Sequence, residues 1–274
     1  MLAHRRRHRL MLASAAVAAA LVLPASGAGA QESSTDFHWE GAVAAGRTVI
    51  VRNLNGSVRV ERGSGRSVVI DARKRWRRGD PEMVRIEVRT VGGDDVLACA
   101  LWGEEASCDE NGYHGNRSRR GRNNDNNDVS VEFTVRVPDG VRLDLNTVNG
   151  DLLIAGATAE VAARTVNGSI DASSLGGPVR AETVNGSIKA QMGNAGNEDL
   201  SYSTVNGSIT VTVPRSLSAE LQMQTVNGGI ESDFPLTVSG RINPRRISAT
   251  VGSGGRRLSL KTVNGSIKLR QAGG

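Results

Sequence analysis

The sequence has few aromatic residues and few histidines, and these shortages exclude several kinds of protein. Only 3% of its 274 residues are aromatic, too few for a bulky globular core or for the aromatic platforms on which proteins stack nucleic-acid bases. Of its four histidines, His4 and His8 lie in the first ten residues, which leaves too few ligands and bases for a metal site or a histidine-activated nucleophile. We therefore expect no cofactor, no bound metal and no nucleic-acid partner.

The first thirty residues have the pattern of an export signal. A basic segment at residues 4–9 precedes an apolar run at residues 10–22, and Ala28-Gly29-Ala30 forms a small-x-small cleavage site before Gln31. A membrane anchor is the alternative, but the run is shorter than the roughly 20 residues that cross a bilayer. We expect a cleaved signal peptide at residues 1–30, no transmembrane segment in the mature chain, and a periplasmic, cell-surface or secreted location.

Removal of the signal changes the charge of the protein. It carries four of the 34 basic residues and none of the 28 acidic ones, which leaves 30 against 28 and a net charge of +2. The basic isoelectric point of the whole chain, about 10.0, therefore does not indicate a nucleic-acid-binding protein.

Two cysteines, Cys99 and Cys108, remain in the mature chain. In an oxidising export compartment, two cysteines nine positions apart predict one local disulfide that closes a hairpin or loop.

The strongest feature of the sequence is a repeat of Thr-Val-Asn-Gly-Ser-Ile. Successive asparagines of its C-terminal copies are 18, 18, 21, 21 and 37 residues apart. The last interval is close to two periods, and residues 247–252 are interpreted as a degenerate copy without its Asn. The seven asparagines are Asn55, Asn149, Asn167, Asn185, Asn206, Asn227 and Asn264.

Apolar and polar residues alternate on both sides of each copy. Leu145 and Leu143 stand two and four positions before Thr147, the other copies follow the same frame, and an Ile, Leu or Val follows each turn. Period-two alternation predicts strands with one buried face.

Two arrangements of these strands are open. Asn-Gly between alternating segments is a strong hairpin signal, which predicts antiparallel pairs. The sequences on either side of the turn are nevertheless nearly the same in every copy, whereas the two sides differ from each other. This favours a solenoid in which equivalent segments stack on one another. We therefore predict an all-β fold, a single-stranded parallel β-helix or solenoid with 18–21-residue rungs.

Strand parity assigns a place to each residue of the turn. It places Thr and Asn on the inner face, where the asparagines are expected to form a structural amide ladder. Gly is expected to supply a positive φ. The Val points outward, either as an ordinary half-exposed strand residue or as part of an apolar stripe for a partner. The Asn-Gly-Ser triplets also match a glycosylation sequon, which we interpret as structural.

The N-terminal part is less regular. We divide the chain into the signal peptide (1–30), an N-terminal β region with one early rung (31–140) and a β-solenoid repeat domain (141–274). Residues 67–72, 84–91 and 129–137 are predicted strands. The polar run at about 111–128 is predicted to be a disordered loop, and its segment 123–128 matches a calcium loop only weakly, without the required Gly and Glu.

Basic residues form two clusters. The first lies at residues 73–78 and the second in the loop at residues 117–122. Two interpretations are open for each cluster, an ordinary solvated surface or a contact for anionic envelope polymers and lipid headgroups. The candidate contacts of the first cluster are Arg73, Lys74, Arg75, Arg77 and Arg78.

The residues that carry the repeat resemble the DUF4097 family of bacterial envelope proteins, which is labelled as candidate adhesins. The resemblance rests on Thr-Val-Asn-Gly-Ser-Ile, on the copy around Asn55, on Val-Pro-Asp-Gly at 137–140 and on the closing copy, and it covers about residues 49–269. It implies a β-solenoid outside the cytoplasm and brings no catalytic residues.

The predicted function is that of an exported, adhesin-like binding or scaffolding module at the cell envelope, without catalysis. Its partner would be an envelope polymer, a glycan or a protein surface along the rung faces. The alternative is a polysaccharide-active lyase or hydrolase on the same scaffold, which would need two carboxylates about 5–10 Å apart in a cleft.

Overall fold

A computed structural model describes residues 32–115, 127–238 and 243–273, all within one compact unit, Gln31–Gly274. The predicted signal peptide, the arginines at 117–122 and most of the calcium-like segment lie outside these residues. Within them the regular secondary structure is nearly all strand, and the single helical element is a 3₁₀ turn, Pro81–Met83. No helix among the described residues is long and apolar enough to cross a membrane.

The described residues form 23 strands. Their bounds are β1 Glu32–Ala42, β2 Thr48–Arg52, β3 Val58–Arg62, β4 Ser67–Trp76, β5 Val84–Val91, β6 Asp95–Trp102, β7 Ser107–Cys108, β8 Tyr113–His114, β9 Ser130–Val137, β10 Arg142–Asn146, β11 Leu152–Ala157, β12 Val161–Arg164, β13 Ile170–Ser174, β14 Val179–Glu182, β15 Ile188–Met192, β16 Leu200–Ser203, β17 Ile209–Val213, β18 Ala219–Gln224, β19 Ile230–Ser232, β20 Thr237–Val238, β21 Arg246–Val251, β22 Arg256–Lys261 and β23 Ile267–Gln271.

The strands form two large sheets and a small hairpin, β7–β8. Sheet A has the order β1-β4-β9-β3-β11-β13-β15-β17-β23-β19, and sheet B has the order β20-β21-β18-β22-β16-β14-β12-β10-β2-β6-β5. The two strands on either side of each Asn-Gly turn lie in different sheets, so the hairpin alternative is wrong. Each rung is one strand of sheet B, a corner and one strand of sheet A, and the rungs stack in parallel as the predicted solenoid requires.

The order of rungs along the stack differs from the order along the chain. The asparagine bridges run Asn206 to Asn264 and then Asn264 to Asn227, so the C-terminal rung (β22 and β23) is inserted between the rungs of β16 and β18. The interpretation of residues 247–252 as a degenerate rung is wrong, because β21 lies antiparallel on the outer edge of β18.

The core lies between the two sheets and consists mainly of aliphatic side chains. In an interior rung, Val179 and Ala181 of sheet B face Ile188 and Ala190 of sheet A, and all four are at most 4% exposed. Burial of such side chains contributes roughly 25 cal/mol for each Å² removed from water. Tyr202 is a fully buried exception, and burial raises the pKa of its phenol.

The N-terminal region continues the same stack. The predicted strands at 67–72, 84–91 and 129–137 are confirmed as parts of β4, β5 and β9. β6 and β9 form a rung beneath the one of β2 and β3, and β5, β4 and β1 add antiparallel strands beyond it. Antiparallel strands at both ends of sheet B limit further parallel stacking.

Candidate binding surface

A column of buried threonines fixes the rungs to one another at the corner. The hydroxyl of Thr183, which is 2% exposed, donates to the carbonyl oxygen of Gly168 one rung away at 2.8 Å. The same bond joins each neighbouring pair of rungs, at 2.8–3.1 Å, from Thr147, Thr165, Thr204, Thr225 and Thr262. Strand parity therefore correctly predicts that the threonines lie on the inner face.

Sequence reasoning missed the residue that takes the place of threonine in the first copy. Asn53 is buried, and its side-chain Nδ2 donates to the carbonyl oxygens of Val131 at 2.9 Å and Gly56 at 3.0 Å. The signal was present in the alignment, since Asn53-Leu54-Asn55 occupies the positions of Thr-Val-Asn.

The seven asparagines lie in one continuous column on the outside of the corner, and the expectation that they face inward is wrong. Asn185 is exposed, its Nδ2 donates to Oδ1 of Asn167 at 2.8 Å, and its Oδ1 accepts from Asn206 at 2.8 Å. The chain bends at the preceding Val184. Alternation therefore ends at the threonine, and both the valine and the asparagine point outward.

The glycine after each asparagine is required by close approach of the backbones. A Cβ at Gly186 would overlap the carbonyl group of Gly168, and the same holds at every interior rung. The expected positive φ is absent at most of these glycines, for example at Gly150, Gly168 and Gly186. Glycine is present here because there is no room for a side chain.

Two further columns flank the asparagines on the surface. The valine column consists of Leu54, Val148, Val166, Val184, Val205, Val263 and Val226, and the last five are 38–46% exposed. The serine column consists of Ser57, Ser169, Ser187, Ser208 and Ser266, with Asp151 and Gly229 in the remaining two rungs. Serine hydroxyls accept hydrogen bonds from the backbone N–H of the next serine, as between Ser169 and Ser187 at 3.2 Å. We call the valine, asparagine and serine columns together the corner ridge.

The corner ridge differs in charge from the outer faces of the two sheets. Asp151 is its single charged residue, whereas the sheet faces carry many ion pairs. Lys189 lies 3.6 Å from Asp171 on sheet A, and Arg180 on sheet B binds both Glu160 and Glu198. Many of the charges on the faces are therefore held in ion pairs, whereas the corner ridge offers apolar and neutral hydrogen-bonding groups.

The structure separates the residues of the first basic cluster. On β4, Lys74 donates to the carbonyl oxygen of Pro81 at 2.8 Å, and Arg75 forms an ion pair with Glu132 at 2.8 Å. Arg73 is exposed, as are Arg77 and Arg78 beyond the end of the strand. The cluster therefore keeps exposed cations, and its role as a contact for anionic surfaces stays a prediction.

Cys99 and Cys108 form a disulfide with a Cα–Cα distance of 6.5 Å. It ties the segment after β6 to the outer face of sheet B, where Ile50, Leu97 and Leu101 are buried beneath that segment. Part of the loop predicted to be disordered is thus ordered, because β7 and β8 pair as a hairpin.

The model of the Toastrack DUF4097 family matches residues 30–270 of the chain. A structure described as a candidate cell adhesion protein from Clostridium sporogenes ATCC 15579 is 11% identical, with a TM-score of 0.43, and the match covers 87% of this chain and 100% of that chain. A candidate adhesin from Bacteroides fragilis NCTC 9343 is 12% identical, with a TM-score of 0.36 and coverage of 87% and 97%.

These structures are too distant to transfer a function to this chain, and no curated protein matches it. The family match, by contrast, spans nearly the whole chain and agrees with the stacked rungs of the structure. This protein belongs to the Toastrack DUF4097 family.

Proposed function

We propose that the protein is an exported binding module of the cell envelope that holds an uncharged, extended glycan along the corner ridge without transforming it. The observation that carries this proposal is the ridge itself, an exposed and nearly uncharged surface that repeats once per rung. The valines are 38–46% exposed in five successive rungs, and a continuous exposed apolar surface of this kind is typical of a binding site.

The chemistry of the corner ridge suits a sugar polymer. Each interior asparagine uses one N–H and one oxygen lone pair in the ladder, which leaves one donor and one acceptor for a ligand. Sugar rings have apolar C–H faces for the valines and hydroxyl groups for the asparagines and serines. Seven rungs at a spacing of about 4.8 Å give a ridge about 29 Å long, the length of several sugar rings.

The ridge is also held rigid before any ligand arrives. Side-chain bonds at 2.7–2.8 Å connect neighbouring asparagines from Asn55 to Asn227. Little side-chain entropy therefore remains to be lost on binding, which favours affinity for a repetitive ligand.

Two carboxyl groups, Asp233 and Asp139, lack the property that the alternative of a polysaccharide hydrolase requires of its acid. Such an enzyme needs a carboxyl group whose pKa is raised so that it can act as the acid. A hydrogen bond from Arg270 instead lowers the pKa of Asp233, and a hydrogen bond from Arg62 lowers the pKa of Asp139. These groups are acceptors held in ion pairs, as expected of structural or ligand-binding carboxylates.

The proposal is tested by co-sedimentation of the mature chain with insoluble neutral polysaccharides, cellulose and chitin. Val184→Lys and Val205→Lys place charge in the middle of the ridge on exposed positions, so the fold is expected to remain intact. We expect each variant to bind at least tenfold more weakly than the wild type. Ser201→Lys, on the exposed face of β16, is the matched control and should bind normally. Equal binding by all four proteins would contradict a site on the ridge.

A further inference from the structure

A second candidate site lies at the corner opposite the ridge. Strands of sheet A begin at the corner ridge and end at this opposite corner, where β9 connects to β10. Around the first rungs, the connections leave a cleft of about 1090 Å³, at the upper end of the range for small-molecule sites. Its lining comes from residues 42–45, residues 62–66, Pro138 and Asp139, and from Trp39, Thr90, Asp94 and Val96.

Trp39 gives the cleft an aromatic surface. Its six-membered ring lies over Gly41, and a Cβ at that position would overlap the ring. The buried side chains of Val43 and Val96, 5% and 4% exposed, complete the apolar part of the lining. A flat aromatic surface beside hydroxyl-bearing residues is suited to a sugar ring, whose C–H face packs on the indole while its edge hydroxyls form hydrogen bonds.

The charges in the cleft are unequally satisfied. Arg62 binds Asp139 through two bonds, at 2.8 and 2.6 Å, and Asp94 lies 3.8 Å from Arg47. Arg66 is exposed and has no ion-pair or hydrogen-bond partner among the described residues. An arginine without an ion-pair or hydrogen-bond partner among the described residues, in the lining of the same cleft as an aromatic ring, favours a ligand that carries a carboxylate, which a guanidinium binds in bidentate geometry.

We infer that this cleft binds the end of an acidic oligosaccharide, with a sugar ring on Trp39 and its carboxylate on Arg66. The hydroxyls of Ser64 and Thr90 and the carboxylate of Asp94 are placed along the lining to bind ring hydroxyls. This site is separate from the corner ridge and takes a ligand of different charge. The inference therefore goes beyond the proposed function and does not depend on it.

The test measures binding of tri-galacturonate to the mature chain by calorimetry, with maltotriose as a neutral trisaccharide and citrate as a carboxylate without a sugar ring. We expect tri-galacturonate to bind most tightly. Arg66→Ala should weaken it at least tenfold, Arg66→Lys should weaken it less, and Trp39→Ala should weaken both trisaccharides. The control Arg59→Ala removes the same charge from an exposed position on the neighbouring strand β3 and should leave binding unchanged.

Other results would overturn the inference. Citrate binding as tight as that of tri-galacturonate would show that the cleft recognises charge without a sugar ring. An equal loss in Arg59→Ala and Arg66→Ala would show unspecific attraction to a basic surface, and no binding of tri-galacturonate by the wild type would exclude the site. Because Arg66 is exposed and forms no hydrogen bond or ion pair with another described residue, its variants are expected to fold even if Trp39→Ala does not. Val184→Lys should retain tri-galacturonate binding, which separates this test from that of the ridge.

Discussion

Replacement of Gly186 by Ala tests the packing of the corner most sharply. A Cβ there would overlap the carbonyl group of Gly168, so neighbouring rungs would have to separate by about 1 Å or more to reach an ordinary contact. That movement breaks the bonds that hold the corner together. They include the N–H of Gly168 to the carbonyl of Asn185 at 3.0 Å and the hydroxyl of Thr183 to the carbonyl of Gly168 at 2.8 Å.

The expected loss of stability follows from those contacts. Two or three hydrogen bonds at about 0.5–1.5 kcal/mol each, with an overpacking strain of about 1–3 kcal/mol, give a loss of about 2–7 kcal/mol. Urea unfolding of the mature chain, followed by far-ultraviolet circular dichroism, measures this loss as a shift of the midpoint.

Gly229 is the matched control for this experiment, because it lies in the same turn of another copy. No atom lies within 4 Å of a Cβ at Gly229, and its φ is not positive. Gly229→Ala should therefore be neutral or stabilising by about 0.4–1 kcal/mol, since Ala restricts the unfolded chain. A loss below 1 kcal/mol in Gly186→Ala, or equal losses in the two variants, would refute the close approach of backbones at the corner.

Three further predictions concern the columns, the disulfide and pH. Thr183→Val should lower the free energy of unfolding in urea by about 1–3 kcal/mol, because a buried carbonyl loses its donor. Asn185→Ala, at an exposed position, should lower it by only about 0.5–1.5 kcal/mol. Equal losses would contradict the assignment of inner and outer columns. Cys108→Ser should lower stability by about 2–3 kcal/mol through loss of the cross-link and should speed hydrogen exchange in β7 and β8, and unchanged exchange would show that the disulfide does not hold the segment. Burial raises the pKa of Asp71, but hydrogen bonds from His38 and an arginine outweigh it and leave the pKa below 3.8. Its contribution to stability is then complete above about pH 4 and is lost as pH falls through the lowered pKa, so Asp71→Asn should flatten the acid limb of the stability curve, and an acid limb as steep as that of the wild type would contradict this role.

Alternation in the sequence was enough to predict the rungs and their inner face. Leu143 and Leu145 stand two residues apart, and both are buried as a period of two requires. The prediction fails at Asn185, because alternation assigns sides only while the strand is straight, and the chain bends one residue earlier.

The order of the rungs was beyond sequence reasoning for a different reason. The copies at Asn206, Asn227 and Asn264 have nearly the same motif, so any of them is compatible with any neighbour in the stack. Spatial order depends on β21, which covers the outer edge of β18 and leaves the inner edge for β22. The copy at the end of the stack does carry a signal, since Asn227 is followed by Gly-Gly instead of Gly-Ser.

The two candidate sites were predicted to different extents. The sequence indicated an outward valine column, and Val184 and its neighbours are exposed as expected. The cleft escaped prediction because Trp39 lies in β1, whereas Arg66 and Asp94 lie in two separate connections, and the three residues share no motif. Only the antiparallel strands at the start of the stack bring these connections to one corner.

The most direct test of the account is incubation of the mature chain with cell-wall, lipopolysaccharide and purified glycan fractions, followed by measurement of bound protein and of soluble products in the same samples. A binding module predicts retention of the protein on at least one glycan fraction, with no oligosaccharide released above the level of a protein-free sample. Release of oligosaccharides that increases with protein concentration and time would contradict the account and favour an enzyme on the same scaffold.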